Sequence, residues 1–150
     1  MYRKILVPVD GSTCAMKGLN EALDLAGVLH ARIKLLHIVN ELILEPSLAP
    51  AEYHERLIES MRETGKAVLA EAQSLAIQRE ADVETELAET IGGRASDCII
   101  DAAKRWGADL IVMGTHGRRG MSRLAMGSDA ELVVRSAPAP VLLVRERNDN

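Results

Sequence analysis

The run Lys4-Ile-Leu-Val-Pro-Val9 is apolar almost without a break and stops at Asp10-Gly11-Ser12. A strand buried on both faces of a parallel sheet has this pattern. The period then changes. From Thr13 to Leu29 the residues Ala15, Leu19, Ala22, Leu23, Leu25, Ala26 and Leu29 fall at helical spacing, and Ser12 stands where an N-cap belongs. Ala31 to Val39 predicts a second strand. Asn40 to Ala49 has no period and contains Pro46, and Pro50 sits where a first helical turn tolerates a missing N–H. Ala51 to Arg79 predicts a long helix, with Leu57, Met61, Val68, Leu69, Ala72 and Leu75 on one stripe.

Asp82 to Ala88 alternates apolar and polar residues, the mark of a half-exposed strand at a sheet edge. Gly92-Gly93 predicts a turn, Ala95 to Trp106 a helix stopped by Gly107, and Ala108 to Met113 a buried strand. Gly114 to Gly127 is a loop with four glycines, followed by a helix over Ser128 to Ser136, a last strand over Ala139 to Val144, and a polar, frayed tail from Arg145 to Asn150. Strands and helices alternate throughout. The expected architecture is a single α/β domain over residues 1–150, with right-handed crossovers and a doubly wound, five-stranded parallel sheet. Ligands of such sheets bind beyond the carboxyl ends of the strands, where strand order reverses. The loops Asp10 to Ser12, His37 to Glu41 and Gly114 to Ser128 are therefore the candidate site.

Composition narrows the function. The chain has 150 residues, 47% hydrophobic and 27% charged, which excludes wholesale disorder. Its only aromatics of the Phe, Trp and Tyr class are Tyr2, Tyr53 and Trp106, too few for stacking on single-stranded bases. A net charge of −4 gives no long-range field for nucleic acid or anionic lipid. Cys14 and Cys98 lack metal-site spacing and are expected to be buried, reduced core thiols. The opening residues have no apolar run of signal-peptide length, and no stretch reaches membrane-span length; a cytoplasmic protein is the expectation.

The strongest chemical signal is Gly114-Thr-His-Gly117, continuing to Gly127-Ser128. Glycines let the main chain approach a ligand closely, and successive N–H groups can cradle phosphate oxygens. Gly127-Ser128 opens a helix, where free N–H groups and the dipole favour an anion. Arg118, Arg119 and Arg123 add positive charge. Glycines serving only tight turns are the competing explanation, and neither GxxxxGK[ST] nor a GxGxxG opening the first helix is present.

The spacing Gly114-x2-Gly117-x9-Gly127-Ser128 resembles the ATP-binding signature of the universal stress protein family. The Lys-Ile-Leu-Val-Pro-Val-Asp-Gly-Ser opening, Leu-Leu-His-Ile-Val, Gly-Ala-Asp-Leu-Ile-Val-Met-Gly-Thr-His-Gly and Pro-Val-Leu-Leu-Val follow in the family's order across the chain. The resemblance implies an adenine-nucleotide α-hydrolase-like fold with strand order 3-2-1-4-5. It implies that Pro8, Val9 and Asp10 border the adenosine, that Ile38 lies against adenine, that Met113 and Gly114 line the floor, and that Gly117, Gly127 and Ser128 hold the phosphates. It also implies ATP, or AMP or ADP, as ligand, with Mg²⁺ or Mn²⁺ as a candidate companion, and a homodimer paired through Val141 to Val144. One position departs from the pattern: Asp129 stands where Val or Thr is common. Its carboxylate repels phosphate unless a cation intervenes or the side chain turns away.

For the other residues the readings are structural. Asp10 either contacts ribose or favours its turn; His116 braces the loop rather than touching phosphate; His37 is structural; Glu52, Glu55, Arg56, Glu59 and Arg62 form a solvated helix face. No nucleophile–base pair stands out, so enzymatic activity is left open, with slow ATP hydrolysis as its upper bound. The leading expectation is an ATP-binding regulatory stress-response protein whose nucleotide sets conformation or partner choice. A nucleotide-independent interaction module and a slow ATPase are the alternatives.

Overall fold

A computed structural model describes residues 1–41, 50–116 and 126–146. The elements are β1 (Lys4–Pro8), α1 (Thr13–Leu29), β2 (Arg32–Asn40), α2 (Ala51–Gln78), β3 (Val83–Thr90), α3 (Ala95–Trp106), β4 (Leu110–Gly114), α4 (Ser128–Ser136) and β5 (Val141–Val144). The strands form one sheet, ordered β3-β2-β1-β4-β5, with every neighbouring pair parallel. This is the expected architecture and strand order.

Two-residue alternation on the central strands splits the core. Ile5, Val7, Ile33, Leu35 and Val112 face α1 and α2. Leu6, Leu36, Ile111 and Met113 face the other way and meet Ile99 and Ala102 of α3 and Ala130 and Val133 of α4. Leu6, Ile33, Leu35, Leu36 and Ile111 lose all contact with water, each burial stabilising the fold by about 1.5–3 kcal/mol. The Ser12 hydroxyl caps α1 by accepting from the Ala15 N–H at 3.2 Å, as the sequence predicts.

Element ends move where hydrogen bonds outweigh pattern. β3 continues past Ala88 to Thr90 because its ladder with β2 runs on through Val39↔Glu89 and Asn40↔Thr90. β4 starts at Leu110 rather than Ala108. The Ala108 N–H is used on Ala103 O to close α3, and the Asp109 carboxylate turns back to accept the N–H groups of Arg3 and Lys4 at 2.8 and 3.0 Å.

The amino end of the sheet is sealed by this Asp109 contact and by Trp106. The ammoniums of Lys4 and Lys34 lie 5.4 and 5.3 Å from the indole centre, within cation–π range. Lys4 also donates to the Trp106 carbonyl at 3.0 Å. Glu86 joins Lys34 at 3.1 Å and Arg105 at 2.7 Å. Burial alone would push the Glu86 carboxyl up, but the hydrogen bonds and charges of Arg105 and Lys34 outweigh it and hold Glu86 below the usual range.

Candidate functional site

At the carboxyl end the sheet opens. The β1–β4 ladder consists of Ile5↔Leu110 and Leu6↔Ile111, whereas β1 stays paired with β2 as far as Pro8↔Leu36 and β4 with β5 as far as Gly114↔Val144. Pro8 gives the reason. The Val9 N–H points to β2, where it donates to Leu36 O at 2.8 Å. Backbone donors alternate along a strand, so the Pro8 nitrogen faces β4, and it has no hydrogen to give. The strands part at the place where strand order reverses, the position at which doubly wound sheets hold ligands.

One bank of this crevice is the turn after β1. Asp10 Oδ1 accepts the Ser12 N–H at 2.8 Å, and Gly11 takes the left-handed φ of 82° that a side chain would resist. The turn role of Asp10 is thus present in the fold. The other bank is Gly114. A Cβ on Gly114 would lie 2.7 Å from Cys14 Sγ and 2.9 Å from the Cys14 backbone, and one on Gly18 would lie 3.3 Å from Gly114 N. Helix α1 therefore rests with its backbone against β4, which holds the Asp10–Ser12 turn beside the end of β4. Gly18 escaped the sequence analysis. Its signal is a glycine inside a helix, about 1 kcal/mol worse than alanine unless packing requires it.

The remaining predicted residues divide by face. Ile38 and Met113 both join the core on the α3/α4 side. Val9 is buried on the α1/α2 side, and its carbonyl is taken by His37 Nδ1 at 2.8 Å. His37 is buried, as its structural reading anticipates. Its ring fits because α2 presents Gly65 there: a Cβ would come within 2.7 Å of Cδ2.

Beyond Gly114, Thr115 is the organising residue, and nothing in the sequence analysis singled it out. Its N–H donates to Val144 O at 3.0 Å, and its carbonyl accepts the Gly127 N–H at 2.7 Å. Its hydroxyl meets His116 Nδ1 at 3.0 Å, so His116 braces the loop base. A Cβ on Gly127 would lie 3.0 Å from Thr115 O; glycine here lets the two ends of the loop touch. The first helical bond of α4 runs from Glu131 N to Gly127 O. The N–H groups of Ser128, Asp129 and Ala130 precede it and have no partner among the described residues, as at other helix starts. Gly117, Arg118, Arg119 and Arg123 lie outside the described residues.

Asp129 turns toward the neighbouring helix, its Oδ1 accepting the Ser96 N–H at 3.2 Å. Ser96 itself is buried, and its hydroxyl has no partner among the described residues.

Two expectations are corrected. Cys14 is buried, with its thiol donating to Val144 O at 3.5 Å, but Cys98 is only half-buried; desolvation, with the nearby Asp97 and Asp101, pushes its thiol up. Arg62 is not merely solvated. It joins Glu89, Glu59 and Glu41, tying α2 to β3 and to the residue after β2, and its guanidinium is held above the ordinary value first by the Glu89 hydrogen bond. Among the described residues no three His, Cys, Asp or Glu side chains converge as metal ligands, and no helix is long and apolar enough to cross a membrane.

Comparison with known proteins agrees with this architecture. The model of the universal stress protein family matches residues 1–145. A universal stress protein of Methanocaldococcus jannaschii is 33% identical over 148 residues, covering 97% of this chain and 84% of its own. UspA of Lactobacillus plantarum superposes with a TM-score of 0.84 at 30% identity, over 96% of this chain and 98% of its own. A universal stress protein of Archaeoglobus fulgidus, solved in complex with dAMP, has a TM-score of 0.69 at 25% identity, over 96% and 98%.

Proposed function

The chain belongs to the universal stress protein family, and on that footing we propose that it is an adenine-nucleotide-binding regulatory protein, one domain in which ATP, ADP or AMP sets conformation or partner choice. The observation that carries this reading is the crevice between β1 and β4. It is opened by Pro8 and ends at a helix start whose N–H groups suit a phosphate. The dAMP bound by the Archaeoglobus fulgidus relative supports the adenine part. Pro8, Val9 and Asp10 are the candidates to border the adenosine, with Asp10 at the ribose and Ile38 at the base, Met113 and Gly114 to line the floor, and Gly117, Gly127 and Ser128 to hold phosphate. The compartment proposed is the cytoplasm.

Calorimetry tests the reading. ATP with Mg²⁺ binds in the micromolar range, about −8 kcal/mol, and mass spectrometry of ligand released from purified protein identifies an adenine nucleotide. Gly127→Val pushes Thr115 and Gly127 apart and removes most of the affinity; unchanged affinity in this variant sinks the assignment of the loop.

The proposal includes a homodimer through β5. Leu142 is 38% exposed on this edge strand, and an apolar edge favours pairing with a second copy about a two-fold axis. Light scattering at micromolar concentration reads the mass directly, and a single-chain mass rejects the dimer.

A further inference from the structure

Between β1 and the turn that follows it there is one rotatable joint. Val9, the residue after β1, is fixed at its Cα: its side chain is buried on the α1/α2 side, and its N–H donates to Leu36 O at 2.8 Å. The freedom that remains is rotation about its Cα–C bond. That rotation swings the whole planar Val9–Asp10 peptide unit, and with it the Asp10–Ser12 turn that forms one bank of the crevice. His37 holds the joint. Its Nδ1 lies 2.8 Å from the Val9 carbonyl; a carbonyl only accepts, so this nitrogen carries the proton. The ring is itself wedged in place. His37 stands opposite Leu87 of β3 in the ladder, and α2 meets the ring with Gly65, where a Cβ would come within 2.7 Å of Cδ2, 3.1 Å of Nε2 and 2.8 Å of Leu87 Cδ1. Gly65 stands inside a 28-residue helix, a place where glycine is unfavourable, and an imidazole is costly to bury. Both choices converge on one bond to one carbonyl, at the joint that aims the turn.

From this geometry we infer that His37 is a positioning residue of the crevice. Acting through the Val9 carbonyl, it holds the Asp10 turn in the placement that receives nucleotide, and α2 supports that placement from behind through Gly65. The inference rests on the adenine-nucleotide reading of the crevice. Without the bond the Val9–Asp10 peptide samples other rotations, and apparent affinity falls with the fraction of molecules whose turn is in place. Positioning and core filling separate chemically. Leucine and asparagine branch alike at Cγ, and both lack the outer atoms of the ring, but only asparagine keeps an N–H donor where Nδ1 stands.

The test compares His37→Leu with His37→Asn by two measures. One is AMP affinity by calorimetry. The other, taken without ligand, is hydrogen exchange of the Ser12 amide, whose N–H is bonded to Asp10 Oδ1. His37→Leu is expected to bind AMP about fivefold more weakly, the factor that one net hydrogen bond represents, and its Ser12 amide to exchange about fivefold faster. His37→Asn recovers most of both. A ring that only fills the core makes a different prediction: the two variants lose stability alike in urea and bind AMP alike. If the unmodified protein binds AMP but the two variants bind it equally, or their Ser12 amides exchange equally, the positioning role is overturned and the adenine reading stands. Should His37→Leu not fold, Gly65→Ala displaces the ring from α2 with residue 37 unchanged; it is expected to weaken AMP binding, and unchanged affinity there overturns the role. If the unmodified protein binds no AMP, the adenine reading fails and takes the positioning role with it.

Discussion

The two ends of the sheet solve opposite problems. At the amino end polar groups are brought together and matched: Asp109 takes the Arg3 and Lys4 N–H groups, and Glu86 takes Lys34 and Arg105. At the carboxyl end backbone is pressed on backbone, as at Gly18 and Gly114 or Thr115 and Gly127, and among the described residues the donors where α4 begins find no partner. The first end holds strands in register. The second gives up a ladder bond at Pro8 and gains a crevice. The lesson is that glycine and proline here are placed for what they omit, a Cβ or an N–H, while the charged residues of the other end are placed for what they supply.

This contrast can be broken from either side, most severely at Gly114. Gly114→Val puts atoms where Cys14 Sγ and its backbone already are. It is expected to destabilise the fold by about 2–3 kcal/mol, as overpacked sites do, lowering the midpoint of urea denaturation and abolishing nucleotide binding. A variant of ordinary stability would mean that α1 stands further from β4 than described.

A smaller effect is expected at the other end. Glu86 titrates below the usual glutamate value of 4.5 in the folded protein. Its contribution is therefore complete above that value and is lost as pH falls through the lower folded one. Unfolding free energies from urea titrations of the unmodified protein and Glu86→Gln should differ by about 1 kcal/mol or less near neutrality and converge in the acid range, with nucleotide affinity equal in the two. A difference independent of pH would assign Glu86 a packing role instead.

The smallest effect sharpens the comparison most. Pro8→Ala restores a donor facing β4, so the ladder can lengthen and the crevice narrow. Stability should stay within about 0.5 kcal/mol while calorimetry shows a few-fold loss of nucleotide affinity. Equal affinity would show that the missing N–H does not set the opening.

Much of this was legible beforehand, for reasons that differ by residue. Periodicity finds every strand and helix because it records which face loses water, and Ser12 is readable as a cap because capping is local. The start of β4 differs from the pattern because Asp109 answers to Arg3 and Lys4, far away in sequence. Pro8 was visible, but its meaning depends on which strand lies on its donor side, and that follows from strand order. Gly18 and Gly65 carry no local signal beyond being glycines in helices; what they touch, Gly114 and His37, is known only after folding. Asp129 was noticed as a departure, while its partner Ser96 belongs to another helix. The expectation of a solvated face failed at Arg62 because Glu41 and Glu89, from beyond its own helix, join Glu59 around it.

The placement of Trp106 has an optical consequence. It is the chain's single tryptophan, and it lies under two ammonium groups at the end of the sheet opposite the crevice. Denaturant strips away Lys4 and Lys34 and admits water, so the indole emission shifts to the red as the fold is lost. Nucleotide arriving at the far ends of the strands leaves that emission where it was. The protein thus carries a native dye for its own unfolding that is blind to the proposed nucleotide site, and melting curves recorded with and without nucleotide are expected to share one spectral baseline.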